Sequence, residues 1–138
     1  MNLFFQFVLV KWYLFAALMS VASLLIWHER RKTGAALSPA EMVGLVNHQD
    51  AVILDVRDVA EFRKGHIVDS INMPHTKLKE RIGELEKYKS RPLIVVCNMG
   101  QHSGAVARTL KESGYETVYR LAGGILEWQS SQLPLLRS

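Results

Sequence analysis

Residues 91–108 read RPLIVVCNMGQHSGAVAR, and this stretch decides the fold. Residues 93–96 are wholly apolar and rich in β-branched side chains, the pattern of a strand buried on both faces of a parallel sheet. Residues 103–113 read as a helix ended by Gly114. Cys97 therefore closes a strand, and a short loop carries the chain from it into a helix N-terminus. Open backbone N–H groups and the positive end of the helix dipole gather there. Such a place favours a thiolate, the nucleophilic form of cysteine. The competing reading makes Cys97 a small hydrophobe at the end of a core strand.

Working outward, strands and helices alternate. Ser38 and Glu41 form a capping box with Pro39 at the first helical position, which predicts a helix to about Asn47. The segment before it, from Thr33, is a short linker running into a brief first strand. A strand is expected over 51–56, a short helix over 59–64, and a strand over 70–73 stopped by Pro74. Leu78, Ile82 and Leu85 mark one face of a helix over 76–88. Residues 116–121 are a last strand, and Gly123 and Gly124 lead into a final helix through Trp128. This order implies an α/β domain with a largely parallel sheet flanked by helices.

The N-terminal segment is different. Residues 12–27 carry no charge, and residues 8–10 extend the apolar run across Lys11. Residues 8–27 as a helix span roughly 30 Å, one hydrocarbon thickness. Lys11 lies near one end, and Trp12, Tyr13 and Trp27 suit the two interfaces. The run is apolar all round, which a buried amphipathic helix is not. Its main basic cluster follows it, whereas a cleavable signal peptide carries its charge ahead. Residues 1–32 thus read as an uncleaved transmembrane anchor with a basic flank, and 33–138 as the soluble domain. Arg30, Arg31 and Lys32 after the span, against Lys11 before it, predict an inner-membrane, single-pass protein, N-terminus out and domain in the cytoplasm. A lone thiol stays reduced there.

Charge and cysteine count narrow the function classes. Of the net charge of +4, residues 1–32 hold four basic side chains against one acidic, while the remainder holds 13 against 12. The basic character is juxtamembrane, which argues against a nucleic-acid partner. A single cysteine excludes an internal disulfide, and the scattered histidines at 28, 48, 66, 75 and 102 have no ligand spacing, so neither a metal nor another cofactor is expected.

Sequence motifs then carry a resemblance. Leu54-Asp55-Val56-Arg57, followed by Glu61-Phe62, Gly65-His66-Ile67 and residues 70–74 (SINMP), is similar to the first signature of the rhodanese family. Residues 95–103 (VVCNMGQHS) resemble its active-site loop, and residues 121–125 (LAGGI) with Trp128 its closing signature. Together they span roughly residues 36–135. With the anchor, the chain resembles a membrane-anchored single-domain rhodanese of bacterial type.

The resemblance implies a sulfurtransferase. Cys97 would take sulfane sulfur from a donor, hold it as a persulfide, and pass it to a thiol or other nucleophilic acceptor. The backbone N–H groups of Asn98, Met99, Gly100, Gln101, His102 and Ser103 would cradle the persulfide anion, in keeping with the anion nest expected where a loop enters a helix. Gly100 would let that loop turn tightly. Many active rhodaneses carry arginine where His102 stands. Arginine is permanently cationic, whereas histidine titrates near neutrality, so attraction for an anionic donor is expected to be weaker. Asp55 and Arg57 fall at the C-terminal end of a strand, where α/β sheets place their sites. Two readings stand for the supporting residues: Asp55 and Arg57 orient the cysteine loop, or Arg57, Glu61 and His66 form an ion-pair network fixing the 57–67 segment. Two further functions compete with sulfur transfer. One is a catalytically weak binding module presented to a membrane-protein partner. The other is a phosphatase or arsenate reductase, which needs an arginine closing the loop, and none occurs over 98–107.

Overall fold

The computed structural model describes residues 2–137, apart from the side chains of Arg30, Lys32 and Thr33. The chain divides into two compact units, Met1–Arg31 and Lys32–Ser138. The first is the helix α1 (Asn2–Thr33), whose stretch Asn2–Glu29 has a mean hydropathy of 1.9 and is a candidate transmembrane span. That stretch is longer at both ends than the 8–27 run. Lys11 therefore sits inside the helix rather than near its end, and it breaks the helical backbone there (φ −113°, ψ 15°). Its ammonium lies 5.3 Å from the Phe7 ring centroid, one turn back. The Arg31 guanidinium stacks over Trp27 at 3.8 Å. Ser20 Oγ donates to the Ala16 carbonyl at 2.8 Å, so this hydroxyl is satisfied within the helix.

The second unit is a five-stranded, all-parallel sheet in the order β1-β5-β4-β2-β3. In chain order its elements are β1 (Ala35–Leu37), α2 (Pro39–Gln49), β2 (Val52–Asp55), α3 (Val59–Lys64), β3 (Ile71–Asn72), α4 (Leu78–Arg81), β4 (Leu93–Val96), α5 (Ser103–Glu112), β5 (Val118–Leu121) and α6 (Gly124–Ser130). The capping box at the start of α2 forms as expected: Ser38 Oγ accepts from Glu41 N–H at 3.2 Å, and Glu41 Oε1 accepts from Ser38 N–H at 3.3 Å.

The sheet separates two hydrophobic cores, and the period-2 alternation of strand side chains assigns residues to them. Leu93, Val95 and Cys97 face one side with Leu54, Val106 and Leu110. Ile94 and Val96 face the other with Met42, Ile125 and Trp128. Both faces of β4 are buried, which is why its sequence has no polar alternation.

One expected element is broken. Instead of a continuous helix over 76–88, a 3₁₀ turn (His75–Lys77), the short α4, and a second 3₁₀ segment (Ile82–Tyr88) follow one another. Ile82, Leu85 and Tyr88 recur every three residues, the period at which a 3₁₀ helix stacks side chains on one face, and all three pack on the core. Gly83 further weakens an α-helix at that point.

Candidate active site

The path of the sheet creates the site. The chain leaves β2 toward the β3 edge and leaves its neighbour β4 toward β5 on the other side. The two exit loops diverge, and a crevice opens between them at the C-terminal ends of the strands, the usual binding place of such sheets. A cavity of about 150 Å³ occupies that crevice. Val56, Arg57, Asp58 and Glu61 wall one side, Cys97, Asn98 and Gln101 the other, and His75 and His102 close a third.

The β2 wall is tied down by charge. Asp55 Oδ1 accepts from the Arg57 backbone N–H at 3.1 Å and from Nε at 3.0 Å, and Oδ2 accepts from Nη2 at 2.7 Å. Arg57 Nη2 also donates to the Gly65 carbonyl at 2.7 Å, bridging the two ends of α3. Side-chain exposure is 1% for Asp55 and 6% for Arg57, so the pair is a buried, bidentate one. Asn72 Nδ2 adds donations to the Asp55 and Arg57 carbonyls at 3.2 and 3.0 Å.

The β4 loop is held from its carbonyl side. Ile125 N–H donates to Cys97 O at 2.9 Å, and Leu126 N–H to Asn98 O at 3.2 Å, so the first turn of α6 clamps the loop. This close approach needs Gly124. Its φ is +61°, and a Cβ there would overlap the Cys97 carbonyl oxygen and come within 2.7 Å of Asn98 O. Gly100 turns the loop at φ +91°, and Ser103 Oγ donates to its carbonyl at 3.1 Å. The carbonyls of Cys97, Asn98 and Gly100 are thus engaged, and the loop enters the N-terminus of α5, where backbone N–H groups lack helical acceptors. The Met99 N–H is taken by Gln101 Oε1 at 2.9 Å. The Cys97 residue is only 1% exposed, at the floor of this loop.

The third wall is a pair of imidazoles. His75 and His102 stack with ring centroids 4.1 Å apart and planes 16° apart. His75 is placed by the turn after β3, where its N–H donates to Val56 O at 3.0 Å. Sequence reading singled out His102 but not His75. Nor did it assign a task to Asn72 or to the clamp at Gly124, although both lie inside the quoted signatures.

The structure corrects the supporting network. Arg57, Glu61 and His66 are not joined. Arg57 pairs with Asp55, and Glu61 pairs with Lys64 at 3.1 Å on the surface while lining the cavity. His66 is away from the cavity. Its ring stacks on Phe62 at 4.0 Å, and its Nδ1 lies 2.9 Å from Phe62 O, an acceptor, so Nδ1 carries the proton. His66 backbone pairs with Leu136, binding the C-terminal segment. The side-chain hydrogen bonds of Asp55 and Arg57 run to the 55–65 segment, so the pair fixes the β2 loop.

The model of the rhodanese-like domain matches residues 38–131, the whole region that builds this cavity. The chain belongs to the rhodanese family. Among curated proteins, this rhodanese is 39% identical over 102 residues to YibN of Escherichia coli (strain K12), covering 73% of this chain and 71% of that protein. It is 36% identical over 94 residues to the thiosulfate sulfurtransferase GlpE of Coxiella burnetii (strain RSA 331 / Henzerling II), covering 68% and 86% respectively. Among solved structures, a rhodanese-related protein from Thermoplasma volcanium superposes with a TM-score of 0.68 at 27% identity, covering 75% of this chain and 99% of that one.

Proposed function

We propose that the protein is a membrane-tethered sulfurtransferase that carries sulfane sulfur as a persulfide on Cys97. The observation that carries this reading is the placement of Cys97 in the lining of a cavity, at the end of β4 where its loop enters the N-terminus of α5. The relationship to GlpE, a thiosulfate sulfurtransferase by name, supports it. In the first half-reaction the Cys97 thiolate attacks the outer sulfur of a donor such as thiosulfate. A new Sγ–S bond forms, the donor S–S bond breaks, and sulfite leaves with the bonding pair. The persulfide anion is then met by the loop N–H groups. In the second half-reaction a nucleophilic acceptor attacks the outer sulfur, and Cys97 leaves as the thiolate. The loop amides favour the charged sulfur in both steps, while the ion-paired β2 wall keeps the cavity shape.

The apolar helix supports a tether, and the basic residues following it support a cytoplasmic domain in the inner membrane with the N-terminus out. The test is intact-mass spectrometry of the full-length chain in detergent after incubation with thiosulfate or an organic persulfide. Wild-type protein should gain the mass of one sulfur atom, and Cys97→Ser none. A wild-type chain that no donor loads would sink the carrier reading and favour a binding module at the membrane.

A further inference from the structure

Gln101 occupies a place in the loop that its backbone role does not explain. The side chain of this exposed residue turns back into the site. Its Oε1 accepts from Met99 N–H at 2.9 Å and lies 4.0 Å from Cys97 Sγ, a long and weak contact. The Met99 N–H can only donate, so the carboxamide presents its oxygen and not its NH₂ group there. That oxygen carries partial negative charge. It sits where a loop amide would meet an anion, directly beside the sulfur that must react.

We propose that Gln101 is a displaceable plug: its carboxamide oxygen takes the place of the anionic donor in the unloaded protein, and the donor must expel it to reach Cys97. The proposal rests on the sulfurtransferase reading for the nature of the donor. Two consequences follow from the chemistry. The carboxamide oxygen beside Sγ occupies the space through which a donor or an alkylating reagent must approach the sulfur. The plug also competes for the Met99 N–H, which a persulfide or a bound anion would otherwise take. Because Gln101 is exposed, the side chain has solvent to swing into, and the exchange needs no backbone rearrangement. The residue next in sequence, His102, lines the same cavity.

The experiment compares full-length wild type, Gln101→Ala and Gln101→Glu in detergent, with two readouts. One is the rate of Cys97 alkylation by iodoacetamide, a neutral reagent that needs no sulfur chemistry. The other is KM and kcat for thiosulfate. Gln101→Ala should alkylate faster, and its KM should fall, each by about three- to tenfold, the scale of one hydrogen bond, with kcat little changed. Gln101→Glu puts a full charge on the same N–H. It should alkylate more slowly and raise KM by about tenfold or more. Unchanged or slower alkylation of Gln101→Ala, or a raised KM, would overturn the plug and make Gln101 a residue that merely shapes the loop. Faster alkylation with no sulfur transfer by any of the three proteins would keep the plug over the thiol and sink the sulfurtransferase reading instead.

Discussion

The two loops that face each other across the cavity are built on opposite principles. The loop after β2 has its polar groups tied to one another: Asp55 to Arg57, Arg57 to Gly65 O, and Asn72 to two carbonyls. The loop after β4 has two carbonyls, those of Cys97 and Asn98, tied to α6, and among the described residues its Met99 N–H is held only by the exposed Gln101 side chain. The first wall is fixed and offers little bonding capacity to a ligand. The second is fixed only from behind, which leaves donors for an anion. For the proposed persulfide carrier, a rigid wall would define the space and an adaptable one would meet the changing charge.

The largest expected effect comes from breaking the rigid wall. Asp55→Ala leaves the Arg57 guanidinium buried without its partner, a loss of about 3–5 kcal/mol in stability. Urea unfolding of the full-length chain in detergent measures it. A loss below about 1 kcal/mol would show that water or another group takes over from Asp55, and that the wall is not held by the pair.

The clamp behind the β4 loop is next. Gly124→Ala forces a Cβ against the Cys97 carbonyl in a backbone conformation that disfavours side chains, and should cost at least about 2 kcal/mol. Sulfur loading of the folded fraction should slow as well, since the loop is displaced with its carbonyls. Normal loading in a destabilised protein would separate the clamp from the chemistry.

A smaller effect tests charge at the adaptable wall. His102→Arg supplies a permanent cation and should raise kcat/KM for thiosulfate by roughly three- to tenfold, while His102→Ala should lower it with stability changed by no more than about 0.5 kcal/mol. Equal rates for all three proteins would leave the backbone amides as the whole anion site.

The smallest effect lies outside the cavity and serves as a control on the core. Burial pushes the Tyr115 phenol above its ordinary value, and the Glu86 carboxylate acts in the same direction. A raised value means that the folded state holds this proton more tightly. Its contribution is fully present below about pH 10, the unfolded value, and is lost as pH rises through the folded value. Tyr115→Phe should remove that part of the alkaline loss. It should also cost about 1 kcal/mol at neutral pH, because the hydroxyl donates to Ile82 O at 3.0 Å. An unchanged alkaline unfolding profile would show that Tyr115 does not contribute to it.

Much of this was legible along the chain. The helix Val59–Lys64 and the strand Leu93–Val96 have the expected bounds, because local signals end them: Gly65 in one case, Pro92 and the loop after Cys97 in the other. The 76–88 segment misled because spacings of three and four fit an α-helix and a 3₁₀ helix alike over so short a run. The Arg57, Glu61 and His66 network misled because charge complementarity in sequence does not say which partner is near. Asp55, two residues from Arg57, is aligned for two-pronged pairing at the end of a strand.

By itself the sequence determined the alternation of strands and helices, the apolar N-terminal helix, and a lone cysteine between a buried strand and a helix start. These follow from periodicity, propensity and polarity, which act between near neighbours. Only the tertiary structure decided where the cavity opens, that His75 stacks on His102, that Gly124 must lack a side chain, and that the Gln101 carboxamide folds back onto Met99 N–H beside Cys97. Each of these depends on groups brought together by sheet order and loop curvature, and no local spacing encodes such distances.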